Sequence, residues 1–203
     1  MASKHAENAA INAPRSNSAR PPRWSKSQPL SEPVSRTARP GTVTWMSAWL
    51  VATFAGWLIR ETSSLVHHQL LKAHIELQLD LNESTPVIRG NSGKLQQVFL
   101  NLFLNARDAM EEGGKLAVRS FAEDGWVKIE VVDNGQGISA EHIGRIYDPF
   151  FTTKGSRKGT GLGLAITYGI VKEHSGSIGV KSQLGAGTQF LLEFPAVRKP
   201  VHA

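Results

Sequence analysis

The chain has 203 residues, 40% of them apolar, with a mean hydropathy of −0.21 and a formal charge of +6; that size suits one core domain with extra segments. It contains no cysteine, which excludes disulfides and thiolate metal sites, and its seven histidines show no metal-ligand spacing. The basic excess sits at the front, where residues 1–61 carry eight Lys/Arg against three Asp/Glu while residues 62–203 carry fifteen against fourteen, so the charge implies no nucleic-acid-binding domain.

Residues 1–42 are rich in Ser, Pro, Arg, Ala and Asn and hold hardly any periodic apolar positions. Such a composition cannot bury enough surface to offset ordering entropy, and it reads as a disordered basic tail without a secretory core. Residues 43–59 are then uncharged for seventeen positions and include Trp45, Trp49, Phe54 and Trp57. A helix of that length spans about 25 Å against a hydrocarbon core of roughly 30 Å. Arg15, Arg20, Arg23, Lys26, Arg36 and Arg39 would also hold the front inside and send the remainder of the chain out. For 43–61 a membrane-surface helix, a partner-binding helix or the stump of an upstream domain therefore fits better than a true span. The expected compartment is the cytoplasm, with membrane association through this segment.

The folded domain is expected over 62–195, with 196–203 as a tail. Thr62 reads as the cap of a helix that runs to residue 73, and Ile75, Leu77, Leu79 and Leu81 alternate as a half-buried strand. The longest helix covers 92–110. Its apolar side uses Leu95, Val98, Leu102, Ala106 and Ala109, while Gln97, Asn101, Asn105 and Asp108 recur on another face. A solvated face ordinarily carries Lys and Glu, and Asn is a mediocre helix former. Two of them one turn apart point to a task, and a side-chain carbonyl is a hard oxygen suited to Mg²⁺.

Gly113-Gly114 ends that helix, and strands over 115–121 and 126–132 form a hairpin across Glu123-Asp124-Gly125. Val127, Ile129 and Val131 share one face, so packing holds Asp133 where it emerges at a sheet edge. A fixed carboxylate there can read an amino group. Gly135 and Gly137 follow, where a flat ring could approach the backbone. Ser139 caps a short helix to about residue 147. The run from Lys154 through GSRKGTGLG (155–163) combines glycines with Lys154, Arg157 and Lys158 ahead of a helix start near Leu162, a cradle for anions. Phe150-Phe151 fits the apolar hinge of a lid over 149–161. A helix to 174, a stop at Gly176 and strands over 177–182 and 188–194 close the domain.

In order, LQQVFLNLFLNARDAM, VVDNGQGIS, YDPFFTTK, KGTGLGLAI and GAGT resemble the asparagine box, first glycine box, phenylalanine box, second glycine box and last glycine motif of the ATP-binding catalytic domain of sensor histidine kinases. The wider superfamily includes gyrase, MutL-type repair and heat-shock chaperone ATPases. Five motifs in series are a strong signal, and the compact second glycine box is similar to the kinase branch. The others hydrolyse with a helix carboxylate, and Glu111 and Glu112 lie late on this helix. The resemblance covers about 62–195 and implies an α+β, two-layer α/β sandwich of the Bergerat type, with helices on one face of a mixed sheet. It implies ATP and Mg²⁺ as cofactors. Asp133 would accept from the adenine amino group, Gly135 and Gly137 would flank the base, and Thr188 would close a network to adenine. Asn105 would hold Mg²⁺, Asn101 would support the phosphates, and Lys154 would contact them. Gly159, Gly161 and Gly163, with Thr160 and Leu162 between them, would hold the phosphates at the lid.

The resemblance also implies transfer of the γ-phosphoryl group to a histidine on a dimerisation hairpin, and a response-regulator partner. His67-His68 is followed by Gln69 rather than an acid, so both histidines read as surface positions. The acceptor would stand on a separate or missing hairpin, reached in trans. The alternative is a nucleotide-dependent interaction module without turnover.

Overall fold

The structure, a computed structural model, describes residues 51–53, 55–82, 86–154 and 159–197. The expectations for residues 1–42, for the Trp-rich run up to residue 50, for the glycine-rich loop at 155–158 and for the end of the tail lie outside the described residues. Within them, β1 (Val51–Thr53) leads into α1 (Ala55–Lys72), β2 (Ile75–Leu81), β3 (Val87–Gly90) and α2 (Ser92–Ala109). The chain continues through β4 (Gly114–Glu123), β5 (Trp126–Asp133), α3 (Ala140–Ile143), α4 (Gly163–Glu173), β6 (Ser177–Gln183) and β7 (Gly187–Val197).

The strands form one sheet in the order β1-β3-β7-β5-β4-β2, with β6 also on β7. Only β2 and β4 run parallel; the other pairs are antiparallel, so the sheet is mixed as expected. Period-two alternation explains its two faces. Leu116, Val118, Val127, Ile129, Val131, Phe190, Leu192 and Phe194 are buried under the helices. On the other face Lys128 pairs with Glu123 and Glu193, and Arg119 pairs with Asp80 and Glu130. That is the two-layer sandwich, helices on one side of the sheet.

Helix α2 is the centre of the helical layer. Leu95, Val98, Phe99, Leu102, Phe103 and Ala106 repeat at three and four residues and are all 3% exposed or less. Its start is capped by Asn91, whose side chain accepts from Lys94 N at 3.0 Å. The Asn91 N–H in turn donates to His174 Nε2 at 3.0 Å, while His174 Nδ1 lies 2.7 Å from Ile170 O. The end of α4 is thereby tied to the start of α2. Lys94 and Glu173 add an exposed ion pair at the same place.

Helix α1 departs from expectation. It begins at Ala55, seven residues before Thr62, and Ala55, Leu58 and Ile59 join the core while Trp57 faces outward. Thr62 is an interior position, not a cap. Its hydroxyl donates to Leu58 O at 2.7 Å, and Ser63 does the same to Ile59 O, which lets both be buried on the core side. Among the described residues no helix is long and apolar enough to cross a membrane. Two further departures bear on the site. Helix α3 spans only four residues and Ser139 makes no side-chain cap bond. Asp133 ends an interior strand between β4 and β7, not a sheet edge.

Gly169 sits in the middle of α4, and a methyl group placed there would meet nothing within 4 Å. Glycine in a helix interior costs roughly 0.5–1 kcal/mol relative to alanine. Gly169→Ala should therefore raise the midpoint of thermal unfolding by a few degrees. A midpoint that stays put or falls would show that the outer side of α4 is not free in solution.

Candidate functional site

One cavity of about 640 Å³ lies between α2, the end of β5, the 136–138 loop, the 151–154 loop and the start of α4. Asp133 and Asn105 both line it, so the strand-end acid and the helix amide face one hollow.

At one end, the register Asp133↔Thr188 sets the strand-end carboxylate beside β7. Asp133 is 6% exposed. Its Oδ1 accepts from Gly135 N at 2.9 Å, and the backbone N–H of Thr188 is a second donor. Burial outweighs these two bonds and pushes the carboxyl up to about 6. A carboxylate can take about four donors, so this one retains capacity for a further N–H. Thr188, also buried, has Oγ1 3.0 Å from Ser182 Oγ. Ser182 Oγ lies 2.9 Å from Gly187 O, to which it donates, and accepts from Ile138 N at 2.8 Å. Ser182 therefore supports this wall, and nothing in its strand position had marked it for that part.

Of the two glycines of the 133–139 loop, only Gly137 reaches the cavity, and both meet close backbone contacts. Gly135 does not line the cavity; a Cβ there would fall 2.4 Å from Ala109 O, at the end of α2. Gly137 does line it, at φ +71°, but its Cβ would fall 2.0 Å from Gln183 O. Both are small because backbone passes against backbone, and the hydrogen bonds Gln136 N to Ala109 O (2.9 Å) and Gly185 N to Gln136 O (2.7 Å) run through the same places. The loop is clamped between α2 and the β6–β7 turn.

At the other end, Asn101, Asn105 and Asp108 of α2 face the cavity, whereas Gln97, one turn earlier, stays in solvent. Asn101 Nδ2 donates to Gly163 O at 3.0 Å and lies 3.3 Å from Thr167 Oγ1, so this amide fixes the start of α4. Lys154 Nζ donates to Asp108 Oδ2 at 2.8 Å and reaches Asn105 Oδ1 at 3.3 Å. Arg107 pairs with Asp108 Oδ1 and also donates to Gln69 on α1. Burial raises the Asp108 carboxyl, but the bonds from Lys154 and Arg107 more than offset it and leave the group below the usual carboxylate range. The Asn105 amide oxygen, a hard donor that already faces a cation, is the group here that fits Mg²⁺.

Gly159, Thr160, Gly161 and Gly163 line the cavity beside these residues, and Leu162 does not. Gly161, at φ +67°, passes so close to the preceding loop that a Cβ would sit 2.3 Å from the Phe150 carbonyl carbon. Phe150 N donates to Gly161 O at 2.9 Å, which pins the loop to the helix start. Phe150 itself takes φ +67° and is 74% exposed, while Phe151 packs on the core and lines the cavity. Leu104, Ile146 and Phe190 form apolar walls with His142 beside them, none of them an expected site residue. Glu111, Glu112, His67 and His68 do not line this cavity.

The description "Histidine kinase-, DNA gyrase B-, and HSP90-like ATPase" matches residues 90–198. The sensor histidine kinase ZraS of Escherichia coli (strain K12) is 41% identical over 138 residues, which is 68% of this chain and 29% of that protein. The chain thus spans under a third of that relative. The catalytic domain of histidine kinase ThkA superposes with a TM-score of 0.66 at 30% identity, over 72% of this chain and 95% of that one. Full-length ShkA in complex with AMPPNP has a TM-score of 0.66 at 29% identity, over 78% of this chain and 34% of that one.

A buried acid raised from 3.8 to about 6 makes folding less favourable as pH rises through that window, because the unfolded chain releases the proton first. Above the window the difference is roughly 3 kcal/mol. Asp133→Asn keeps an oxygen for Gly135 N and removes the charge. In urea unfolding without nucleotide it should exceed the parent in stability by up to that amount near pH 7.5, and the gain should vanish near pH 3, below both values. An equal difference at both pH values would show that the carboxyl is not perturbed.

Proposed function

The chain belongs to the histidine kinase-, DNA gyrase B- and HSP90-like ATPase family with a catalytic domain of the histidine-kinase kind, and from that premise we propose that it binds ATP with Mg²⁺ and donates the γ-phosphoryl group to a histidine outside its own cavity. The observation that carries this is the shared hollow: a nearly buried acid at one end, and an amide–carboxylate face with a lysine at the other. Asp133 accepts from the adenine amino group, with Thr188 and Ser182 holding that wall. Gly137 borders the base, and Gly135 acts by fixing the loop. Asn105 offers its oxygen to the metal. Lys154 and the glycine-punctuated start of α4 meet the phosphates, and Asn101 keeps that helix start in place.

The Mg²⁺ ion would supply charge neutralisation across the phosphates, which is most of what phosphoryl transfer asks of a site. The protein's contribution is orientation. Asp133 and Asn105 stand on elements locked into one core, so they grip opposite ends of one nucleotide at a fixed separation. A response regulator would then take the phosphoryl group from the histidine. His67 and His68 are exposed on α1 and lack a following acid, which supports an acceptor on a separate hairpin. The same observation favours the second reading, a nucleotide-dependent module that binds without turnover. ADP accumulating when purified protein is incubated with ATP and Mg²⁺ separates the two, and labelled ATP with an isolated hairpin domain tests transfer.

Asp133→Asn should weaken ATP binding by about 1.5–3 kcal/mol, the worth of a hydrogen bond to a charged group. By calorimetric titration that is roughly tenfold to more than a hundredfold in Kd. Asn105→Ala should abolish the dependence of nucleotide affinity on Mg²⁺ and leave the metal-free affinity within about threefold. Unchanged affinity in the first variant would place the adenine elsewhere, and unchanged Mg²⁺ dependence in the second would remove Asn105 as the ligand.

A further inference from the structure

The cation on Asn105 is the protein's own. Lys154 Nζ bridges Asn105 Oδ1 and Asp108 Oδ2, two oxygens three residues apart on one face of α2. Asp108 is held from its other side by Arg107, whose Nε and Nη2 reach Oδ1 at 2.9 and 2.5 Å, and Arg107 continues to Gln69 on α1. Lys154 thus crosses the cavity from the 151–154 loop and occupies the oxygen proposed for the metal. A second cation on that oxygen would meet like-charge repulsion at short range.

Resting on the ATP-binding reading, we propose that the Lys154–Asp108 ion pair is a crossbar over the phosphate end of the cavity, and that it opens before nucleotide is seated. Three observations make the exchange balanced. The two side chains are 25% and 27% exposed, so the pair is weaker than a fully buried one and can part. The lysine moves from a carboxylate to phosphate oxygens, trading one charge-assisted bond for another of the same kind. Arg107 stays on Asp108, so opening strands no carboxylate. Asp108 is on this account a gating residue: it sets how fast nucleotide enters and leaves the finished complex to Asp133, Asn105 and Lys154. It also makes the state of the cavity readable at α1, because the partner Lys154 leaves is the one that Arg107 links to Gln69.

The test uses the 203-residue chain with Asp108→Asn and Lys154→Gln. Hydrogen exchange in the absence of nucleotide reads the crossbar directly: amides of residues 151–154 should exchange about two- to tenfold faster in both variants. Stopped-flow mixing with a fluorescent ATP analogue and Mg²⁺ reads the gate, and Asp108→Asn should associate several-fold faster than wild type. Parental exchange in both variants overturns the proposal, as does a parental association rate in Asp108→Asn. Complete loss of binding in that variant while wild type binds also overturns it, since the carboxylate would then be a ligand rather than a bar. A wild-type chain that binds no nucleotide overturns the underlying reading instead, and that result is distinct from the other three.

Discussion

A carboxylate held nearly out of water, with two backbone donors, is the constraint around which the domain is arranged. Such a group is expensive to keep ionised, and a fold retains it only where surrounding structure over-determines its place. Here that structure is the middle of the sheet. β5 lies between β4 and β7, so both ladders must break for Asp133 to move, and Thr188 reaches it from a strand paired there with β5 and β6. The clamped 133–139 loop removes the remaining freedom. A ligand that donates to this carboxylate recovers part of the burial cost, which is how an unfavourable interior charge becomes selectivity for an amino group.

Helix α2 connects that end to the other. It is buried along one stripe by Phe99, Phe103 and their neighbours, and the remaining face is left to Asn101, Asn105 and Asp108. Because the side chains of a close-packed stripe cannot shift without opening voids, the polar face inherits the rigidity of the apolar one. The tie between His174 and Asn91 extends this to α4: one end of that helix is fixed to the start of α2, and the other is fixed to its middle by Asn101. The helices α2 and α4 and the strands that carry Asp133 and Thr188 therefore bound the cavity from one shared core.

Much of this was legible in the residues. Alternation located the hairpin, the spacing of amide and acid along α2 located its polar face, and five short motifs in order located the family. What was not legible has physical reasons. Thr62 looked like a cap because a buried threonine satisfied by the carbonyl four residues back leaves no trace in sequence. The uncharged run over 43–59 hid a helix start, since Leu58 and Ile59 look the same in a surface segment as in a core. Val87–Gly90 is a four-residue strand, too short for alternation to mark it. The need for glycine at 135 comes from a close backbone approach of Ala109, and that approach depends on a pairing that only the fold creates. Ser182 and the bridge from Lys154 to residues 46 and 49 positions earlier are likewise products of tertiary placement.

The two ends of the cavity differ in a way that suits a nucleotide that must both be recognised and be handed on. At the Asp133 end the charge is deep, its partners are backbone, and its geometry is fixed by the sheet. At the proposed phosphate end the charges sit on side chains a quarter to a third exposed, where ion pairs contribute little and part readily. A site built from buried pairs at both ends would incur heavy desolvation for every change of partner. Keeping the exchangeable charges near water and the discriminating charge away from it suits the proposed nucleotide, with a purine held firmly and phosphates and a counter-cation that come and go.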